Sequence, residues 1–152
     1  MTEDLERKIR ILVIDDNPAE NRLLKEALNE GTVRYIVDTA LNPNDALILM
    51  KTNSYRIVFS DTDMNNYTGY EYVSKYREEI PTIRVVGLST NATEQKTSEW
   101  LESGANAFLE KPVELDANIR LMQYIAEQVL ANPDTFYGPF DLIENKPKNS
   151  FY

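Results

Sequence analysis

The sequence predicts an α/β fold built on a five-stranded parallel sheet with helices on both faces. Two observations predict it. Short, wholly apolar runs such as Ile11 to Ile14 and Ile57 to Phe59 suit strands buried on both sides, as parallel sheets require. These runs alternate with segments of helical period, and the alternation repeats five times within 152 residues. With 42% apolar residues the chain has roughly 64 side chains for one core, which makes one domain.

Ile11 to Ile14 is the first strand, ended by Asp15-Asp16-Asn17-Pro18. Pro18 suits the first turn of a helix reaching about Glu30, with Leu23, Leu24, Ala27 and Leu28 expected inward and Gly31 as its stop. Tyr35 to Thr39 is the second strand, and Asn42-Pro43 opens a helix containing Ala46, Leu47, Leu49 and Met50. Ile57 to Phe59, ending in Ser60-Asp61, is the third. After a polar loop from Thr62 to Thr68, Gly69 introduces a helix over about Tyr70 to Glu79, which Pro81 closes off. Arg84 to Leu88 is the fourth strand and ends in Ser89; a polar helix spans Thr93 to Ser103, with Gly104 as its stop. Ala107 to Leu109 is the fifth strand, followed by Lys111-Pro112. A last helix over about Leu115 to Leu130 carries the stripe Leu115, Ile119, Met122, Ala126 and Val129. Five such units fit the flavodoxin-like strand order 2-1-3-4-5.

Composition narrows the chemistry. There is no Cys and no His, so disulfides, thiolate or imidazole metal sites and His-dependent triads are excluded. A net charge of -9 repels phosphate backbones, so no nucleic-acid partner is expected. Met1 to Arg10 lacks a secretory pattern and no apolar run is long enough to span a bilayer, so the expectation is a cytoplasmic protein with no membrane partner.

In an open α/β sheet, ligands bind beyond the carboxyl ends of the strands where the order reverses. Those ends carry Asp15 and Asp16, Asp61, Ser89 with Thr90, and Lys111. In the order 2-1-3-4-5 the four strands concerned are neighbours, so three carboxylates, a hydroxyl and an ammonium should converge. One pair of carboxylates 4 Å apart costs about 4 kcal/mol at an effective dielectric of 20, so a cation belongs among them. With oxygen ligands alone, a hard cation such as Mg2+ fits better than zinc. A metal and a lysine are what a transferring phosphoryl group needs, and Asp61, alone on the central strand, is the natural acceptor.

Over roughly Lys8 to Leu130 these residues resemble the CheY-like receiver domains of two-component response regulators. The pieces that carry the resemblance are Ile11 to Asp16, Asp61-x-x-Met64 with Gly69 beyond it, Val85 to Ser89, and Gly104-Ala105 leading to Phe108-Leu109-Glu110-Lys111-Pro112. The resemblance implies that Asp61 accepts a phosphoryl group from a phosphohistidine on a sensor histidine kinase or a histidine phosphotransfer protein. It implies Mg2+ held directly by Asp16 and Asp61, by Asp15 through water, and by the backbone carbonyl of Asp63. Lys111 would pair with the phosphate, Ser89 would be the switch hydroxyl and Phe108 the switch aromatic. The fourth helix, fifth strand and fifth helix would form the face that a downstream protein reads, with a homodimer as another use of the last helix's edge. Such a domain catalyses its own phosphorylation and dephosphorylation but is not a turnover enzyme.

Some positions depart from that pattern: Asn65 follows Met64, Thr68 precedes Gly69, Thr90 replaces a smaller residue, Phe108 lacks a phenolic hydroxyl, and Asp63 is acidic. Asp61-Thr62-Asp63 also resembles the Asp-x-Asp motif of haloacid-dehalogenase-type Mg2+-dependent phosphatases, although there the motif lies on the first strand and the Asp15-Asp16 pair would have no role. Taken singly, the Asp pair reads as a turn, Lys-Pro as a solvated corner and Ser89 as a strand-end hydroxyl. Trp100 reads as a packing anchor, and Tyr67, Tyr70, Tyr72 and Tyr76 as mostly half-buried helix-face residues. Residues 1-130 form the expected receiver domain. Residues 131-152 are expected to be too few for an output domain, and the aromatic residues Phe136, Tyr137, Phe140, Phe151 and Tyr152, set among prolines, argue against a disordered tail, with Phe136, Tyr137 and Phe140 expected to dock beside the last helix.

Overall fold

A computed structural model describes residues 9–29, 35–62, 64 and 69–131, the last two as backbone only. The strands are β1 (Ile9–Ile14), β2 (Tyr35–Ala40), β3 (Ile57–Asp61), β4 (Arg84–Ser89) and β5 (Ala107–Glu110). Between and after them run α1 (Pro18–Asn29), α2 (Pro43–Thr52), α3 (Val73–Glu79), α4 (Glu94–Glu102) and α5 (Leu115–Ala131). All pairings are parallel and the order is β2-β1-β3-β4-β5. No helix among the described residues is long and apolar enough to cross a membrane.

The sheet divides the core in two because alternate residues of each strand point to opposite faces. Ile11, Val13, Ile57 and Phe59 pack with Leu24 and Leu28 of α1 and with Leu121, Met122 and Ile125 of α5. Leu12, Ile14, Val58 and Val85 pack on the other side with Ala46, Met50, Val73, Tyr76 and Trp100. Caps fix the helix starts: Asn17 Oδ1 accepts from the backbone N–H groups of Ala19 and Glu20 at 3.1 Å each, Asn42 Oδ1 from Asp45 at 2.9 Å, and Thr93 Oγ1 from Lys96 at 3.2 Å. Gly104 ends α4 at φ 106°, where a side chain would be strained.

Two expectations need correction. Leu23 is 47% exposed, not inward, because the buried stripe of α1 runs Asn21, Leu24, Leu28 and turns the neighbouring position outward. The segment after Gly69 begins as a 3-10 turn (Gly69–Tyr72) and only then becomes α3. Gly69 and Gly87 make room for Trp100: a Cβ on either would stand 2.6 to 2.8 Å from its indole, whose ring centroid is 5.6 Å from that of Phe108. Trp100 is thus a packing anchor. Tyr70 and Tyr72 are half-buried and Tyr76 is buried, while Tyr67 and the tail aromatics lie outside the described residues.

Candidate functional site

Register builds the site. β1 and β3 pair as Ile14 with Ser60, so the next residues, Asp15 and Asp61, leave adjacent strands side by side. Backbone bonds hold the strand ends in place: Asp15 N–H donates to Ala40 O at 3.0 Å, Thr62 N–H to Leu88 O at 3.0 Å, and Lys111 N–H to Ser89 O at 2.7 Å. Asn21 of α1, 2% exposed, donates its side-chain amide to Asp15 O at 2.8 Å. A buried amide in the first turns of α1 thereby fixes the end of β1.

Asp15, Asp16 and Asp61 each present a carboxylate oxygen within 4.8 Å of the others. Asp15 is buried, Asp61 half-buried and Asp16 exposed. Burial pushes the Asp15 carboxyl above the usual carboxylate range, against the opposing pull of the Asn17 N–H, which donates to Oδ1 at 3.0 Å, and of Lys111. The set consists of oxygen donors alone, is short of positive charge and opens to solvent at Asp16; it fits a hard divalent cation.

Lys111 Nζ lies 3.3 Å from Asp15 Oδ2 and 3.9 Å from Asp61 Oδ2. Its nearest partner is neither: Glu20 Oε1 of α1 stands at 2.7 Å. Burial alone would lower the lysine's proton affinity, but the bond to Glu20 and the charges of Asp15 and Asp61 raise it above its ordinary value, so the ammonium is held charged. Glu20 went unrecognised in the sequence because it reads there as an ordinary first-turn acid of a helix.

Ser89, fully buried, accepts the Asn91 N–H at 3.1 Å, and Thr90 beside it is exposed. Phe108 is turned inward against Trp100, 4% exposed, on the α2, α3 and α4 side of the sheet. Asp63, Asn65 and Thr68 lie outside the described residues. Beside Lys111 an open groove of about 490 Å3 runs between α1 and the β5–α5 loop, bordered by Asn17, Glu20, Leu23, Thr90 and Val113. Val113 is fully exposed there.

A parallel sheet of this order with three acids and a lysine at its carboxyl edge defines a class, and comparison with known proteins gives the family: the chain belongs to the response regulator receiver domains, whose family model matches residues 11–125. It is 38% identical over 128 residues to "Sensor histidine kinase RcsC" of Salmonella typhi, covering 84% of this chain but only 13% of that protein. It is 36% identical over 117 residues to an uncharacterised 14.6 kDa protein of Leptolyngbya boryana, covering 74% of this chain and 86% of that one. Among solved structures, a response regulator from Burkholderia pseudomallei with a phosphorylated aspartic acid, calcium ion and citrate superposes with a TM-score of 0.67 at 24% identity, over 84% of this chain and 74% of that one. The dehalogenase-type alternative is not favoured: the matched family spans both acidic motifs, and Asp15 and Asp16 belong to the same cluster as Asp61.

Proposed function

We propose that this chain is a phosphoacceptor switch in which Asp61 takes a phosphoryl group from a phosphohistidine of a sensor kinase or phosphotransfer protein. The observation that carries the reading is the meeting of three carboxylates within 4.8 Å with a lysine whose ammonium lies within 3.9 Å of Asp61. The donor reaches Asp61 over the groove beside Lys111, where exposed Leu23 and Val113 offer it apolar contact. An Asp61 carboxylate oxygen attacks phosphorus, the P–N bond breaks, the imidazole leaves with the bonding pair, and an aspartyl phosphate remains. Asp15, Asp16 and Asp61 would hold Mg2+, joined by the Asp63 carbonyl as the family resemblance implies, and the ion would supply positive charge to offset the negative charge of the phosphoryl oxygens.

Lys111 supplies the second positive charge, leaving Glu20 for a phosphoryl oxygen. Ser89 turns its hydroxyl from the Asn91 N–H to that phosphate, and Phe108, next on the sheet at Gly87, follows the change at the end of β4. The signal leaves through the α4–β5–α5 face, to which a downstream protein binds. A switch of this kind takes one phosphoryl group and loses it by its own hydrolysis.

The test is intact-protein mass after incubation with acetyl phosphate and Mg2+. Wild type should gain one phosphoryl group, Asp61→Ala none, and wild type in EDTA none. Labelling that persists in Asp61→Ala would sink the assignment, and hydrolysis of many donor equivalents without a labelled protein would favour a phosphatase.

A further inference from the structure

Asn118, near the start of α5, is 1% exposed, and neither its amide nitrogen nor its carbonyl oxygen has a hydrogen-bond partner. Its backbone N–H is accounted for by Glu114 O at 3.1 Å, so helix formation explains the main chain and leaves the side chain without a structural task. That side chain borders two spaces. One is small, about 10 Å3, and is walled by Asp15, Asp61 and Lys111 on its polar side and by Leu24, Phe59 and Met122 on its apolar side. The other is the open groove that Glu20 and Lys111 also line. A leucine, somewhat larger but branched in the same way, would meet such surroundings without burying an unpaired amide.

The matching unused capacity is on Lys111. Its ammonium has three N–H donors, and two carboxylates stand within hydrogen-bond reach, Glu20 at 2.7 Å and Asp15 at 3.3 Å, with Asp61 farther off at 3.9 Å. We propose that Asn118 is a positioning residue for Lys111. Its carboxamide oxygen reaches the third ammonium hydrogen through a single water in the small space that both residues line. The flexible four-carbon stem is then held toward Asp61 when an incoming phosphoryl group draws the ammonium from Glu20. A neutral amide suits the task, because it orients the lysine without adding a further negative charge to the cluster. This inference rests on reading Asp61 as the phosphoacceptor.

The test uses the full chain as wild type, Asn118→Leu and Asn118→Ser. Three quantities are measured: the melting temperature, the initial rate of phosphorylation by acetyl phosphate with Mg2+, and the Lys111 side-chain ammonium NMR resonance without a phosphodonor. Asn118→Leu should melt at or above the wild-type temperature yet be phosphorylated about tenfold more slowly, with the Lys111 resonance displaced. Asn118→Ser, which keeps an acceptor, should recover most of the lost rate. A leucine variant with the wild-type rate, an unmoved Lys111 resonance, or equal rate losses in both variants alongside lowered melting temperatures would overturn the proposal. Wild type that takes up no phosphoryl group would break the Asp61 reading instead, and the ammonium resonance would then decide the Asn118 contact by itself.

Discussion

The two edges of the sheet treat charge in opposite ways. At the amino edge of β4 and β5, Arg77 of α3 is surrounded by neutral acceptors: its guanidinium donates to Gly104 O, to Ile83 O at 3.1 Å and to Asn106 Oδ1 at 2.7 Å. Asn106 Oδ1 in turn accepts the Val85 N–H at 2.8 Å, so one cation ties α3 to the starts of two strands. Burial, with Arg84 nearby, lowers its proton affinity, but it stays charged at any ordinary pH. At the carboxyl edge Asp15, Asp61 and Glu20 stand around the ammonium of Lys111, and Asp16 belongs to the same carboxylate cluster. The first arrangement is complete and acts as a strut. The second carries surplus negative charge, so its geometry depends on what positive group arrives, and a switch needs that dependence.

The largest expected effect cuts the carboxyl edge alone. Asp16→Ala removes the most exposed oxygen donor of the cluster, so phosphoryl uptake should fall by about two orders of magnitude or more while the thermal transition barely moves. Uptake at the wild-type rate would show that the cation does not depend on Asp16. The complementary cut is Arg77→Met, which takes the guanidinium donors from the Gly104 and Ile83 carbonyls and from Asn106 Oδ1 and should lower stability by about 2 to 4 kcal/mol, read from the urea midpoint. The folded fraction of that variant should still take up phosphate within about twofold of wild type, since additivity holds for distant sites. A large loss of uptake would mean that the two edges are coupled.

A smaller effect tests the claim that the site is electrostatically incomplete. The folded Asp15 carboxyl ionises at higher pH than in the unfolded chain, chiefly because it is buried. For an acid raised in this way, its contribution to stability is full below the ordinary carboxyl value of 3.8 and is lost as pH rises through the folded value. In EDTA, wild type should therefore lose stability over that window relative to Asp15→Asn, and at neutral pH the asparagine variant should melt a few degrees higher. Millimolar Mg2+ should narrow or reverse the difference, because the ion binds the carboxylate form. Thermal melts across pH, with and without the metal, read both effects.

What the sequence disclosed divides along the same line. The strands were legible because burial on both faces leaves only apolar residues between polar ends, and the acids at those ends were legible because topology alone makes them neighbours. The mistaken inward placement of Leu23 came from trusting apolar character over hydrogen-bonding need: Asn21 takes the buried position because the end of β1 requires a donor there. Glu20 and Asn118 were missed for a related reason. Each has an unremarkable local context, and its meaning lies in Lys111, which reaches it only after β5 is laid beside β4. The metal-site role given to Asp63 and the docking expected of the tail fall outside the described residues.

The smallest effect concerns which acid owns the lysine. Glu20 holds Nζ at 2.7 Å while Asp61 stands at 3.9 Å, so the ammonium leans away from Asp61. Glu20→Gln removes that competing charge and keeps the shape of the side chain, which should let Lys111 move toward Asp61 and raise the phosphorylation rate. The side chains of Lys111 and Glu20 are 13% and 26% exposed, so solvent weakens the pair. An attraction of about 0.2 to 1 kcal/mol is then a fair scale, worth up to about fivefold in rate. The gain should shrink at high ionic strength because the competing attraction is screened in wild type as well. Initial rates with acetyl phosphate at low and high salt provide the check. If Glu20→Gln is slower than wild type at both, Glu20 steers the lysine into place instead of holding it back, and the resting geometry is already the productive one.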